Sequence, residues 1–153
     1  MKALYSGARI FDGMGATLEN HAVLIENERI QRIGPEKEFS DFDGNKIDIR
    51  GRTLLPGLID CHVHLVYCAE ADPSSKVTKL HPGQIVMRAL TNAQKSLSGG
   101  TTSLRDLGGR DFLEFAVRDA CNSGEQLGPT IRAAGKIICM TGGHGNQHGR
   151  IAD

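Results

Sequence analysis

The sequence predicts an α/β protein in which a small all-strand region leads into parallel βαβ units. Two observations carry that prediction. From residue 54 onward, apolar strand-like runs alternate with helix-period segments in the order strand, helix, strand, helix, strand, with short connections. That order is the pattern of a parallel sheet with crossover helices. Before residue 54, short alternating runs are separated by Gly, Asp and Asn turns, the pattern of hairpins. A content of 19 glycines in 153 residues suits such a chain of short strands and tight loops.

Residues 2–11 read as a strand, with Ala3, Tyr5, Ala8 and Ile10 apolar, ending at Asp12-Gly13. Residues 21–34 read as a hairpin with the polar tip Glu26-Asn27-Glu28. In its second strand Ile30 and Ile33 bracket polar residues and break strict alternation. Residues 41–45 are turn-rich, and residues 46–50 alternate cleanly up to Gly51. Together these predict a small antiparallel sheet with one packed face, and they leave His21 at the surface.

The run Leu54-Leu55, then Leu58-Ile59, reads as a buried strand, and residues 70–81 read as a polar loop with turns around Asp72-Pro73. Pro82 suits the first turn of a helix reaching Ser98. Its stripe is Ile85, Val86, Ala89, Leu90, Ala93 and Leu97, and Gly99-Gly100 stop it. A second strand covers residues 101–107 and closes at Gly108-Gly109. Asp106 at its end is expected to cap a helix over residues 111–122, with Phe112, Phe115, Ala116, Val117 and Ala120 packed. Gly124 ends that helix. The third strand starts at Thr130 and continues through Gly135 towards Ile137-Ile138-Cys139 and a glycine-rich loop.

The chemistry concentrates in residues 56–65, PGLIDCHVHL. Strand side chains alternate faces, so His62 and His64 share a face, Asp60 shares their parity, and Cys61 points away as a small core residue. Two imidazoles so placed can reach one ion, each needing a nitrogen about 2.0–2.1 Å from zinc. A bare His-x-His pair is a weak signal, more often two histidines on a half-exposed strand than a metal site. Its place at the C-terminal end of an apolar strand, where α/β barrels keep their active sites, favours a metal site. If Leu104 packs on the helices, Arg105 faces the opposite side, to bind an anionic group or to pair with a carboxylate such as Asp60. His144, on the glycine-rich loop, can bind substrate, hydrogen-bond a developing charge or ligate metal. That loop lacks the lysine of a phosphate-binding P-loop, and His148 takes no assignment.

PGLIDCHVHL resembles the first barrel strand of the amidohydrolase superfamily, where PG-x-(I/V)-D-x-H-x-H supplies two metal-binding histidines. The run Thr141-Gly142-Gly143-His144-Gly145 resembles a loop of its prolidase-like branch, which includes Xaa-Pro dipeptidases and imidazolonepropionase-related enzymes and in which a histidine faces the substrate. The resemblance covers essentially the whole chain. It implies β-sandwich strands over residues 1–55 and the first three βα units of a (β/α)8 TIM barrel over residues 56–153. The barrel is incomplete in this chain, since a whole one needs roughly 250 residues. It further implies His62 and His64 as metal ligands, His144 as a substrate-binding residue, and zinc, in a binuclear site, as cofactor. Imidazole suits other divalent metals as well. The superfamily's later lysine, two further histidines and aspartate general base have no counterpart up to Asp153, so no catalytic residue is assigned.

The implied activity is hydrolysis of a C–N bond in a small molecule such as an Xaa-Pro dipeptide, with this chain alone inactive. The alternatives are a ring-opening or deaminating amidohydrolase of the imidazolonepropionase kind, or a non-catalytic fragment that pairs with another chain through open strand edges. A net charge of zero gives no electrostatic case for nucleic acid or an anionic membrane. No apolar run is long enough to span a bilayer, and the start lacks the apolar core of a signal peptide. Cys61, Cys68, Cys121 and Cys139 form no CxxC pair, which predicts reduced thiols in a cytoplasmic protein. The expected partner is a small-molecule substrate, and a homo-oligomer is compatible.

Overall fold

The computed structural model describes residues 2–143, so the expectations on His144 and His148 lie outside the described residues. The chain divides into two compact units, one ending at Pro56 and the other starting at Gly57. Among the described residues, no helix is long and apolar enough to cross a membrane.

The first unit holds seven strands in two sheets. They are β1 (Lys2–Ser6), β2 (Arg9–Phe11), β3 (Thr17–Leu18), β4 (His21–Glu26), β5 (Arg29–Pro35), β6 (Asn45–Asp48) and β7 (Thr53–Leu54), with a 3-10 turn at Glu36–Phe39. The sheets run β5-β4-β1-β6 and β3-β2-β7. The single strand expected over residues 2–11 is therefore broken. Gly7 sits between its halves at φ +84°, a left-handed conformation that stops the ladder and sends the halves to different sheets. The predicted hairpin is present. Asn27 and Glu28 form its tip at φ 50° and 66°, as a two-residue hairpin turn requires. The broken alternation at Ile30 and Ile33 has a structural cause. Leu24 pairs with Arg32 and Ile25 with Ile30, so Gln31 is an extra, bulged residue. The sheet is mixed rather than purely antiparallel, because β6 joins β1 in parallel. Leu4, Ala22 and Phe39 form its small core.

The second unit is a three-stranded sheet in the order β10-β9-β8, made of β8 (Leu58–Val63), β9 (Thr101–Asp106) and β10 (Thr130–Ala133). Both pairings are parallel, so all three strands end on one side. The helices are α1 (Pro73–Lys79), α2 (Pro82–Ser98) and α3 (Glu114–Asn122). Helix α2 has the predicted bounds. His81 caps it reciprocally with Gln84, and Ile85, Ala89 and Ala93 are buried along its stripe. With Leu104, Val117 and Ile131 they form one core between the helices and one face of the sheet.

Three expectations fail locally. The polar loop over residues 70–81 contains α1, because the Asp72 side chain accepts the Ser75 N–H and Val77 is an apolar anchor fully out of water. Helix α3 starts at Glu114 rather than residue 111, because Asp111 and Phe112 both have φ near +57°, outside the helical region. Its buried face is Glu114, Val117 and Cys121, and Phe112 and Ala116 are exposed. The third strand stops at Ala133. Gly135 at φ +88° turns the chain, and Ile138 is exposed.

Candidate metal site at the carboxyl end of the parallel sheet

Gly57, from the PGLID motif, is where the backbone of the second unit begins, and a Cβ there would run into the Thr102 side chain. The small residue lets β8 close on β9. Along β8 the register then slips. Asp60 pairs with Leu104 and Val63 with Asp106, three steps against two, so β8 carries one extra residue around Cys61 and His62. A bulge re-aims side chains and is common beside active sites. Strict parity cannot therefore be carried from Asp60 to His62. Instead, the Asp60 carboxylate accepts the backbone N–H of His62 at 3.0 Å. Arg105 is exposed and, among the described residues, makes no ion pair with Asp60.

Beyond the bulge, Val63 turns to the helix core while His62 and His64 come together. Their ring centroids lie 5.6 Å apart in an edge-on arrangement at 71°. With metal–nitrogen bonds of about 2.0–2.1 Å and tetrahedral angles, two rings on one ion would have centroids about 5 Å apart, close to this spacing. His62 is exposed and His64 half-buried. The His64 Nδ1 is 2.7 Å from the Gly108 carbonyl oxygen, which can only accept. Nδ1 must therefore carry the proton, and in the neutral ring the lone pair then sits on Nε2. Metal-binding histidines are oriented in this way, by donating the other ring N–H to a carbonyl or carboxylate. The pair thus fits two positions of a coordination shell. Among the described residues no cluster of three or more His, Cys, Asp or Glu side chains completes one. Beside it lies an open groove of about 510 Å³, lined by His64, Tyr67, Cys68, Asn92 and Lys95 among others.

Two carboxyls are fully buried behind this pair, Asp106 and Glu114. The expected capping role of Asp106 is not what it does. Its Oδ2 accepts the Leu65 N–H and its Oδ1 the Gly108 N–H, each at 2.7 Å, well short of the start of α3. Burial pushes its pKa up, while those two amides oppose the shift. Glu114 is pushed up to about 7, first by burial and then by the charge of Asp106. No well-formed hydrogen bond reaches either Glu114 oxygen, although the amides of Glu114 itself and Gly135 lie near enough to favour its ionised form. Cys61, expected in the core, is instead exposed, within the bulged part of a strand that stands at the edge of the described sheet. The other described thiols are also free, Cys121 buried and Cys68 and Cys139 half-buried.

The missed contribution of Asp106 is half legible in sequence. Asp-Leu-Gly-Gly predicts the local turn in which an Asp oxygen accepts the amide two residues on. The bond to Leu65, 41 residues away, carries no sequence signal.

Parallel strands topped by a histidine pair, with crossover helices behind them, define an α/β protein with a polar site at the sheet's carboxyl edge. The sequence and fold relate it to characterised proteins. The model of the amidohydrolase family matches residues 53–152. Ochratoxinase from Aspergillus niger is 30% identical over 148 residues, covering 94% of this chain and 30% of that protein. Imidazolonepropionase from Ectopseudomonas mendocina is 41% identical over 68 residues, 43% of this chain and 17% of that protein. A solved Xaa-Pro dipeptidase with methionine bound in its active site superposes with a TM-score of 0.84 at 31% identity, covering 95% of this chain and 36% of that one. The chain belongs to the amidohydrolase family. It spans about a third of the length of the ochratoxinase and the dipeptidase that it matches.

Proposed function

We propose that the protein carrying this chain is a metal-dependent hydrolase that cleaves a C–N bond in a small molecule. The observation that carries this reading is the His62–His64 pair at the carboxyl end of a parallel sheet, with Nε2 of His64 left free by the Gly108 carbonyl. In this reading the pair supplies two ligands to a divalent ion in a binuclear site, with zinc, the cofactor the family resemblance implies, as the ion. Strands β8, β9 and β10 are then the first three strands of a (β/α)8 barrel, and the strands before residue 56 belong to a β-sandwich. A divalent ion held there would polarise a carbonyl and ease the ionisation of water at neutral pH. The chain's own residues orient the ligands, and the groove beside His64 admits the substrate. In this reading His144, which lies outside the described residues, is the substrate-binding residue.

A dipeptide such as Xaa-Pro is the substrate this reading favours, supported by the Thr-Gly-Gly-His-Gly loop and by the likeness to the Xaa-Pro dipeptidase. The 41% identity to imidazolonepropionase supports a ring-opening reaction as the second reading. Zinc titration followed by calorimetry tests the site. The wild-type chain gains a binding event that the His62→Ala/His64→Ala variant lacks, and equal binding by the two would overturn the metal reading. Turnover of Xaa-Pro dipeptides against imidazolone rings by the intact protein separates the two substrate readings.

A further inference from the structure

We propose that Asp106 is the positioning residue for His64, holding it in the tautomer that leaves Nε2 free for metal. This deepens the metal reading above and rests on it. The chain of contacts is continuous. The Asp106 carboxylate spans the ends of two parallel strands, accepting the Leu65 N–H with one oxygen and the Gly108 N–H with the other, both at 2.7 Å and both buried. Leu65 directly follows His64, so the first bond fixes the backbone from which the imidazole projects. Gly108 supplies the carbonyl that receives the His64 Nδ1–H at 2.7 Å, so the second bond fixes the acceptor. One carboxylate thus sets both ends of the hydrogen bond that decides the tautomer.

The acceptor has little freedom of its own. Gly108 has φ +110°, and a Cβ there would meet the Gly135 carbonyl oxygen at 2.7 Å and the Ile137 nitrogen at 3.0 Å. Its amide is also flanked by ladder bonds, from Leu107 N–H to the Val63 carbonyl and from Gly109 N–H to the Gly135 carbonyl, both 2.9 Å. A neutral amide at position 106 has one acceptor and one donor group, so it can serve only one of the two N–H groups and confronts the other with a second donor. Asp106→Asn is therefore nearly the same size and breaks the arrangement chemically.

Long-range proton–nitrogen NMR of the metal-free protein reads the His64 tautomer directly, with His62→Ala simplifying the assignment and circular dichroism confirming the fold. Wild type is expected to hold His64 as a single Nδ1–H tautomer, and Asp106→Asn to give a mixture. Zinc affinity in the variant is expected to fall about 10- to 100-fold, the usual effect of losing a partner that orients a metal ligand. A wild-type His64 protonated on Nε2 overturns the proposal without any variant, even if Asp106→Asn fails to fold. So does a folded Asp106→Asn with the wild-type tautomer. Because the tautomer is read without metal, failure of the chain to bind zinc sinks the metal reading separately.

Discussion

Neighbouring strands of one parallel sheet meet opposite fates. In β9, Leu104 is 3% exposed and Asp106 fully buried, whereas in β8 Leu58 is 50% and Ile59 70% exposed. Both strands are short, and β8 is the more apolar at its start. The difference is position. β9 is paired on both edges, and its Leu104 joins the core that Ile85 and Ala89 of α2 and Val117 of α3 build. Among the described residues, β8 is paired on one edge only, and Leu58 and Ile59 take no part in that core. Apolar character states what a strand would gain by being covered, and the neighbours decide whether it is.

Mutations can break or sharpen that contrast. The largest effect is expected from Leu104→Ala, about 2–5 kcal/mol in urea unfolding, as for a large-to-small change in a closed core. Ile59→Ala should stay within about 0.5 kcal/mol, because its side chain already faces water. A loss at Ile59 as large as at Leu104 would show that β8 is covered in solution.

Next comes the buried carboxyl behind the histidine pair. Raised from 4.5 to about 7, the Glu114 carboxyl keeps a proton in the folded state that the unfolded chain releases. Its contribution is complete below pH 4.5 and is lost as pH rises to about 7, on the order of 3 kcal/mol in all. Glu114→Gln should flatten the stability profile across that window and leave the protein more stable than wild type at pH 8. A slope unchanged by the substitution would place the titration elsewhere.

The two outer edges of the sheet complete the comparison. At β10, the Asn122 side chain accepts the Ile131 N–H at 2.8 Å and donates to its carbonyl at 2.9 Å. Asn122→Ala is expected to cost about 1–3 kcal/mol, since it strands both backbone groups. In β8 a side chain likewise serves the backbone, the exposed Asp60 carboxylate accepting the His62 N–H. Asp60→Ala should cost no more than about 0.5 kcal/mol in chemical unfolding, because water replaces the carboxylate. Equal losses at the two positions would remove the distinction between a part-buried side-chain bond to the backbone and an exposed one.

The sequence by itself determined the alternation of β8, α2, β9, α3 and β10, the bounds of α2, the hairpin at Asn27-Glu28 and the histidine pair. Each of these rests on local rules: a 3.6-residue stripe with a proline start and a glycine stop, a two-residue turn, a motif within one strand. It misjudged what depends on residues far apart. The break at Gly7 was invisible because both halves read as strand, and only sheet assignment separates them. The late start of α3 came from two left-handed residues that no local propensity announces. The bulge at Cys61–His62 arises from registry against β9, so strict alternation gave the histidines the right company and Asp60 the wrong relation to them. Asp106 looked like a cap because a strand-end aspartate before a helix usually is one. The fold instead brings Leu65 across 41 residues to its second oxygen. Tertiary structure decides such matters because a hydrogen-bond acceptor binds whatever donor the packed chain delivers, and sequence separation does not enter that energy.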